Sequence, residues 1–138
     1  MNRTPRQFAV MGAGSWGTAL AMLLAGNGHA TKLWTHRQEA AQQLQTSREN
    51  ARYLPGLRFP DNLQIDSDLQ VVLAQAEIIL LVVPSHVFRE TLIRIKSLLQ
   101  PQQKVAWATK GLEPGSHKLL HQQAIEEMGA GRIMAAVS

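Results

Sequence analysis

The sequence predicts an α/β fold, a Rossmann-type doubly wound and mainly parallel sheet, in one domain covering residues 1–138. Three observations predict it. Apolar runs of strand length alternate with longer segments of helical period. The run IILLVV at residues 78–83 is continuously apolar and partly β-branched, as suits a parallel strand buried on both faces. No linker, repeat or low-complexity tract breaks the alternation, so strands joined by helical crossovers fit a single sheet.

The elements follow in order. A first strand is predicted over residues 8–11, then a helix from about Ser15 to Asn27 whose apolar face carries Trp16, Ala19, Leu20, Leu23 and Leu24. Gly26 and Gly28 close that helix, residues 31–35 read as the second strand, and residues 38–45 as a polar helix. Residues 53–62 are expected to be irregular, being punctuated by Pro55, Gly56 and Pro60. A short strand at 63–65 and a helix at about 67–75 come next. Pro84 ends the strand at 78–83. Val87, Leu92, Ile95, Leu98 and Leu99 then mark an amphipathic helix, with Pro101 beyond it. A fifth strand at 104–108, a helix at 116–128 and a sixth strand at 132–137 complete the alternation.

Composition narrows the class. The chain is long enough to bury about two-thirds of its unfolded surface, and 45% hydrophobic with 17% charged residues reads as soluble and globular. The net charge of +4 suits anionic ligands. No cluster of four or more basic residues occurs and the aromatics are scattered, so a nucleic-acid partner is not expected. With no cysteine, disulfides and thiolate metal ligands are excluded, and no metal site is expected. The polar start is no signal peptide, and residues 78–83 are too few to span a bilayer. The expected location is cytoplasmic, without membrane insertion.

The stretch GAGSWG at residues 12–17 carries the chemistry. It lies between a predicted strand and a predicted helix, the setting in which a glycine loop holds a dinucleotide pyrophosphate. Gly12 permits a tight turn, Gly14 lets backbone approach the pyrophosphate, and Gly17 lets helix pack close to strand. The N–H groups of Ser15, Trp16 and Gly17 are then free for an anion at the positive end of the helix. A plain turn would need one glycine rather than three.

About twenty residues on, where an acidic residue ordinarily bonds the ribose 2′-hydroxyl, the chain has Thr35, His36 and Arg37. Arg37 can pair with a 2′-phosphate and stack on adenine, and His36 adds a donor. The residues favour NADP(H), with NAD(H) also accommodated. In the alternative, Arg37 is a solvated helix-start residue and Glu39 the ribose ligand, although Glu39 falls within the predicted helix. Two further loops reach the same sheet end, one with Pro84, Ser85 and His86, the other with Thr109, Lys110 and Gly111. Ser85 and His86 could bond ribose or substrate; otherwise His86 simply starts a helix. Lys110, beside the small Gly111, could hold a substrate phosphate or polarise a carbonyl, or be a turn lysine. The stretch NARYLPG at residues 50–56 has no chemistry in its spacing.

Together the segments GAGSWGTALA (12–21), LWTHR (33–37), NARYLPG (50–56), VPSH (83–86) and ATKGLE (108–113) resemble the bacterial NAD(P)-dependent glycerol-3-phosphate dehydrogenases. The resemblance runs over nearly the whole chain. It implies reversible NAD(P)H reduction of dihydroxyacetone phosphate to sn-glycerol 3-phosphate, feeding phospholipid synthesis. It places Ser15, Trp16, His36 and Arg37 on the cofactor, Lys110 on cofactor and substrate phosphate, and Tyr53 near the adenosine end. It also implies a second, helical domain beyond Ser138 carrying the catalytic lysine, so that no catalytic residue is expected within residues 1–138. A homodimer through the full-length protein is compatible with it. A stand-alone NAD(P)-binding or redox-sensing module, and a related 3-hydroxy-acid or sugar-acid dehydrogenase, are the readings left open.

Overall fold

A computed structural model describes residues 4–108, 120–129, 131 and 133–136. Six parallel strands form its main sheet: β1 (Gln7–Met11), β2 (Ala30–Trp34), β5 (Leu63–Asp66), β6 (Ile78–Leu81), β7 (Lys104–Trp107) and β8 (Ile133–Ala136), in spatial order β5-β2-β1-β6-β7-β8. β3 (Glu49–Asn50) and β4 (Leu54–Arg58) form a separate antiparallel ribbon. The helices are α1 (Ser15–Gly26), α2 (Gln38–Ser47), α3 (Leu69–Leu73), α4 (Phe88–Lys96) and α5 (Leu120–Met128), with a 3₁₀ turn at Ser85–Val87. Counted along the main sheet alone, the strand order is 3-2-1-4-5-6, the doubly wound arrangement expected from the sequence.

Alternation along the strands sorts side chains between two cores. Ala9, Met11, Ile79, Leu81, Val105 and Trp107 face one way, toward α3, α4 and α5. Val10, Leu33, Ile78, Leu80 and Ala106 face the other, toward α1 and α2. Every residue of β6 is buried, as its unbroken apolar run requires. Phe88 of α4 is fully buried and meets Trp107 edge-on, with ring centroids 5.7 Å apart. α3 begins at Asp68, whose carboxylate accepts from the Gln70 N–H at 2.9 Å.

Two expectations are corrected. The face of α1 that meets the sheet carries Gly17, Thr18, Ala21 and Ala25, whereas Trp16 and Leu23 are 52% and 60% exposed. Ala19, Leu20 and Leu24 are only partly buried. Close approach of helix to sheet selects small side chains at the contact, so the large apolar residues lie to its flanks. Residues 53–62 are also not irregular throughout, since Leu54–Arg58 forms β4 of the ribbon. Its strands are short and mostly exposed, with Pro55 and Gly56 inside β4, so no alternation betrays it.

The remaining differences are at element ends. The strand predicted to Val83 stops at Leu81, and the helix predicted over 67–75 contracts to Leu69–Leu73. The predicted helix start at residues 116–119 lies outside the described residues.

Candidate cofactor site

β1 and β6 are neighbours whose following segments run to opposite faces of the sheet, which opens a crevice between their carboxyl ends. A cavity of about 1280 Å³ opens there. One wall is the glycine loop, another the end of β2, a third the segment after β6, and the ribbon closes a fourth.

The three glycines are needed for different reasons. Gly12 has φ +123°, and a Cβ there would lie 2.5 Å from the Val82 carbonyl oxygen. A Cβ on Gly17 would lie 1.8 Å from the Gly12 carbonyl oxygen, so any side chain would push α1 away from β1. Gly14 has an ordinary φ of −75°, and a Cβ there would meet no protein atom within 4 Å. It lines the cavity, so the space it leaves belongs to whatever fills the crevice.

The start of α1 is suited to an anion. The first turn of a helix leaves its N–H groups without intrahelical partners. Gly14 supplies only its carbonyl, accepting from the Thr18 N–H at 2.9 Å, and no side chain caps the helix. No acidic residue stands in its first turn. Ser15, Trp16 and Gly17 all line the cavity. These features fit a pyrophosphate, with its charge met by backbone donors and the helix dipole.

At the end of β2, His36 and Arg37 are exposed and line the cavity. Arg37 is the N-cap position of α2 but makes no side-chain cap bond, and it has no ion pair among the described residues. Glu39 stands in the first turn of α2, as expected, and also lines the cavity. Both candidates for the ribose thus face the same space.

Beyond β6, Pro84 and Ser85 line the cavity; His86 is exposed and is not among the lining residues. Lys110 lies outside the described residues.

Sequence reasoning passed over two contributors. Arg94 of α4 lines the cavity with its guanidinium 5.4 Å from the Trp34 ring centroid. Asn50, which is buried, joins the ribbon to the glycine loop. Neither was visible from local spacing, because each reaches the site across the fold. Tyr53 lines the cavity with Arg52 stacked over its ring at 5.2 Å. Among the described residues no three metal-ligating side chains gather, and no helix is long and apolar enough to cross a membrane.

Comparison with known proteins gives consistent results. Residues 7–138 match the family model described as NAD-dependent glycerol-3-phosphate dehydrogenase N-terminus. The chain is 48% identical, over its whole length, to a glycerol-3-phosphate dehydrogenase of the NAD(P)+ type from Pseudoalteromonas translucida, and spans 41% of that protein. It is 49% identical over 132 residues to the enzyme of the same name from Shewanella frigidimarina, covering 96% of this chain and 39% of that one. The crystal structure of glycerol-3-phosphate dehydrogenase from Coxiella burnetii superposes with a TM-score of 0.89 at 39% identity, over 97% of this chain and 41% of that one. The chain therefore spans about two-fifths of the length of the relatives it matches.

Proposed function

Since the chain belongs to the NAD-dependent glycerol-3-phosphate dehydrogenase family, we propose that it is the cofactor-binding portion of an oxidoreductase interconverting dihydroxyacetone phosphate and sn-glycerol 3-phosphate. The observation that carries this reading is the crevice at the switch point, where an uncapped helix start and a glycine with open space before it share one wall. The nicotinamide cofactor supplies or accepts a hydride in this chemistry.

Within this chain, the N–H groups of Ser15, Trp16 and Gly17 hold the pyrophosphate, with Gly12 shaping the turn and Gly14 leaving room for it. Arg37 and His36 receive the 2′-phosphate of NADP(H), with NAD(H) bound more weakly. Tyr53 borders the adenosine end, and Lys110 binds the substrate phosphate beside the cofactor. In this reading residues 1–138 form one dinucleotide-binding domain, and glycerophospholipid synthesis consumes the product.

A chimera tests both binding and chemistry. With these residues in place of the matched part of the Pseudoalteromonas enzyme, NADPH oxidation should depend on dihydroxyacetone phosphate. A chimera that binds NADPH but prefers a 3-keto acid as acceptor would overturn the substrate assignment, and one that binds no nicotinamide nucleotide would overturn the reading altogether. Replacing Arg37 by Asp should weaken NADPH relative to NADH by about 1.5–3 kcal/mol, the usual worth of a hydrogen bond to a charged group. An unchanged ratio of the two dissociation constants would return the ribose to Glu39.

A further inference from the structure

The ribbon β3–β4 is held to the glycine loop by one buried carboxamide. Asn50 is only 4% exposed. Its Nδ2 donates to the Ala13 carbonyl at 3.1 Å and to Thr18 Oγ1 at 2.9 Å. On its other side, the Tyr53 N–H donates to the Asn50 backbone carbonyl at 3.2 Å and lies 3.4 Å from Oδ1. The side chain thus bonds the loop, the first turns of α1 and the ribbon turn. Both donors of the amide are used.

The bond to Ala13 has a geometric consequence. A trans peptide is planar, so the carbonyl of Ala13 and the N–H of Gly14 point in opposite directions within one rigid unit. Holding the carbonyl toward Asn50 fixes the direction of the Gly14 N–H at the edge of the cavity. The same residue seats the turn that carries Arg52 and Tyr53, which line the cavity from the ribbon side. A threonine or serine at position 50 could not reach loop, helix and ribbon with two donors and an acceptor at once.

We propose that Asn50 is a positioning residue for cofactor binding: it sets the Ala13–Gly14 peptide of the pyrophosphate loop and couples that loop to the ribbon wall formed by Arg52 and Tyr53. This rests on the reading that the crevice holds a nicotinamide nucleotide. Coupling of this kind makes the two walls act together, so removing the tie disables the ribbon's contribution as well as the loop's.

Titrating NADPH into the parent chain, Asn50→Asp, Tyr53→Ala and the double variant, with folding checked by circular dichroism, measures the coupling. Asn50→Asp keeps the shape but turns an acceptor toward the Ala13 carbonyl; the dissociation constant should rise at least tenfold. Tyr53→Ala should weaken binding severalfold in the parent and less than twofold in the Asn50→Asp background, since contacting residues in one network are not additive. Asn50→Ala replaces Asn50→Asp in the same cycle if the aspartate does not fold. A dissociation constant for the Asn50 variant within twofold of the parent, even with a lowered melting midpoint, would overturn the proposal. So would equal penalties for Tyr53→Ala in both backgrounds. A parent that binds no NADPH would overturn the cofactor reading on which the proposal stands, an outcome distinct from failure of the tie.

Discussion

Gly14 and Gly17 look alike in the sequence and make opposite demands on a substitution. At Gly17 the added methyl has nowhere to go: 1.8 Å from a backbone oxygen, it must move α1 or β1, and neither is flexible. Gly17→Ala should therefore lower stability by several kcal/mol, on the order of other overpacked core sites, with binding lost alongside. At Gly14 the methyl meets no protein atom, so Gly14→Ala should unfold within about 1 kcal/mol of the parent, the scale of an N-cap change. Its NADPH affinity should nonetheless fall. Chemical unfolding and nucleotide titration of the two variants separate the roles, and a Gly14→Ala chain with unimpaired affinity would remove the pyrophosphate from that loop. The glycine pattern was legible because its three members fall within six consecutive positions between a strand and a helix, a spacing visible in the sequence itself. Asn50 was not, because its partners Ala13 and Thr18 lie 37 and 32 positions away, and no local periodicity marks such a contact.

Elements with an internal pattern were readable; those placed by what they pack against were not. The unbroken apolar run of β6 and the spacing of Leu92 and Ile95 in α4 located those elements directly. In α1 the large apolar residues misled, because a helix beside a sheet is brought close by its smallest residues. The ribbon escaped notice for want of either period. One inter-element contact makes a pH-dependent prediction. Glu127 of α5 accepts from Lys96 at 3.0 Å and from Arg89 at 2.9 Å, both on α4. The hydrogen bond from Lys96 chiefly, and then Arg89, hold its carboxyl below the ordinary value of 4.5 despite partial desolvation. A carboxyl lowered on folding adds stability that is full above the ordinary value and lost as the pH falls through the folded one. Lys96→Met should thus cost under about 1 kcal/mol at neutral pH, the range of exposed pairs, and less once Glu127 is protonated. A gap between parent and variant that is the same at both pH values would show that the ammonium contributes no charge interaction.

At the scale of the molecule the cavity is a property of strand order, and it should report its ligand. Any nucleotide that binds the folded chain alone stabilises it by mass action, by about 2.7 kcal/mol at one hundred times the dissociation constant. At roughly 2.1 cal/mol/K of unfolding entropy per residue, that corresponds to a rise of about 9 °C in melting midpoint for a chain of this length. Differential scanning calorimetry with NADPH measures it, and a midpoint that does not move at saturating NADPH would contradict the assignment of the crevice. The doubly wound sheet was expected from alternation plus the glycine loop, whereas the order of its strands, β5-β2-β1-β6-β7-β8, is given by the folded chain. Which residues line the far wall needed the folded chain, because β6 and the ribbon arrive there from distant parts of the sequence.

β1 is made first yet lies between β2 and β6 at the middle of the sheet. During synthesis on the ribosome, its β2 side can be satisfied early, but its other edge must wait until Ile78–Leu81 has emerged. Until then a nascent chain exposes an apolar strand edge of the kind that invites pairing with other chains. A chain arrested near residue 73 should accordingly be recovered with chaperones or in aggregates, and one extended past β7 and β8, which cover the outer edge of β6 in turn, should not.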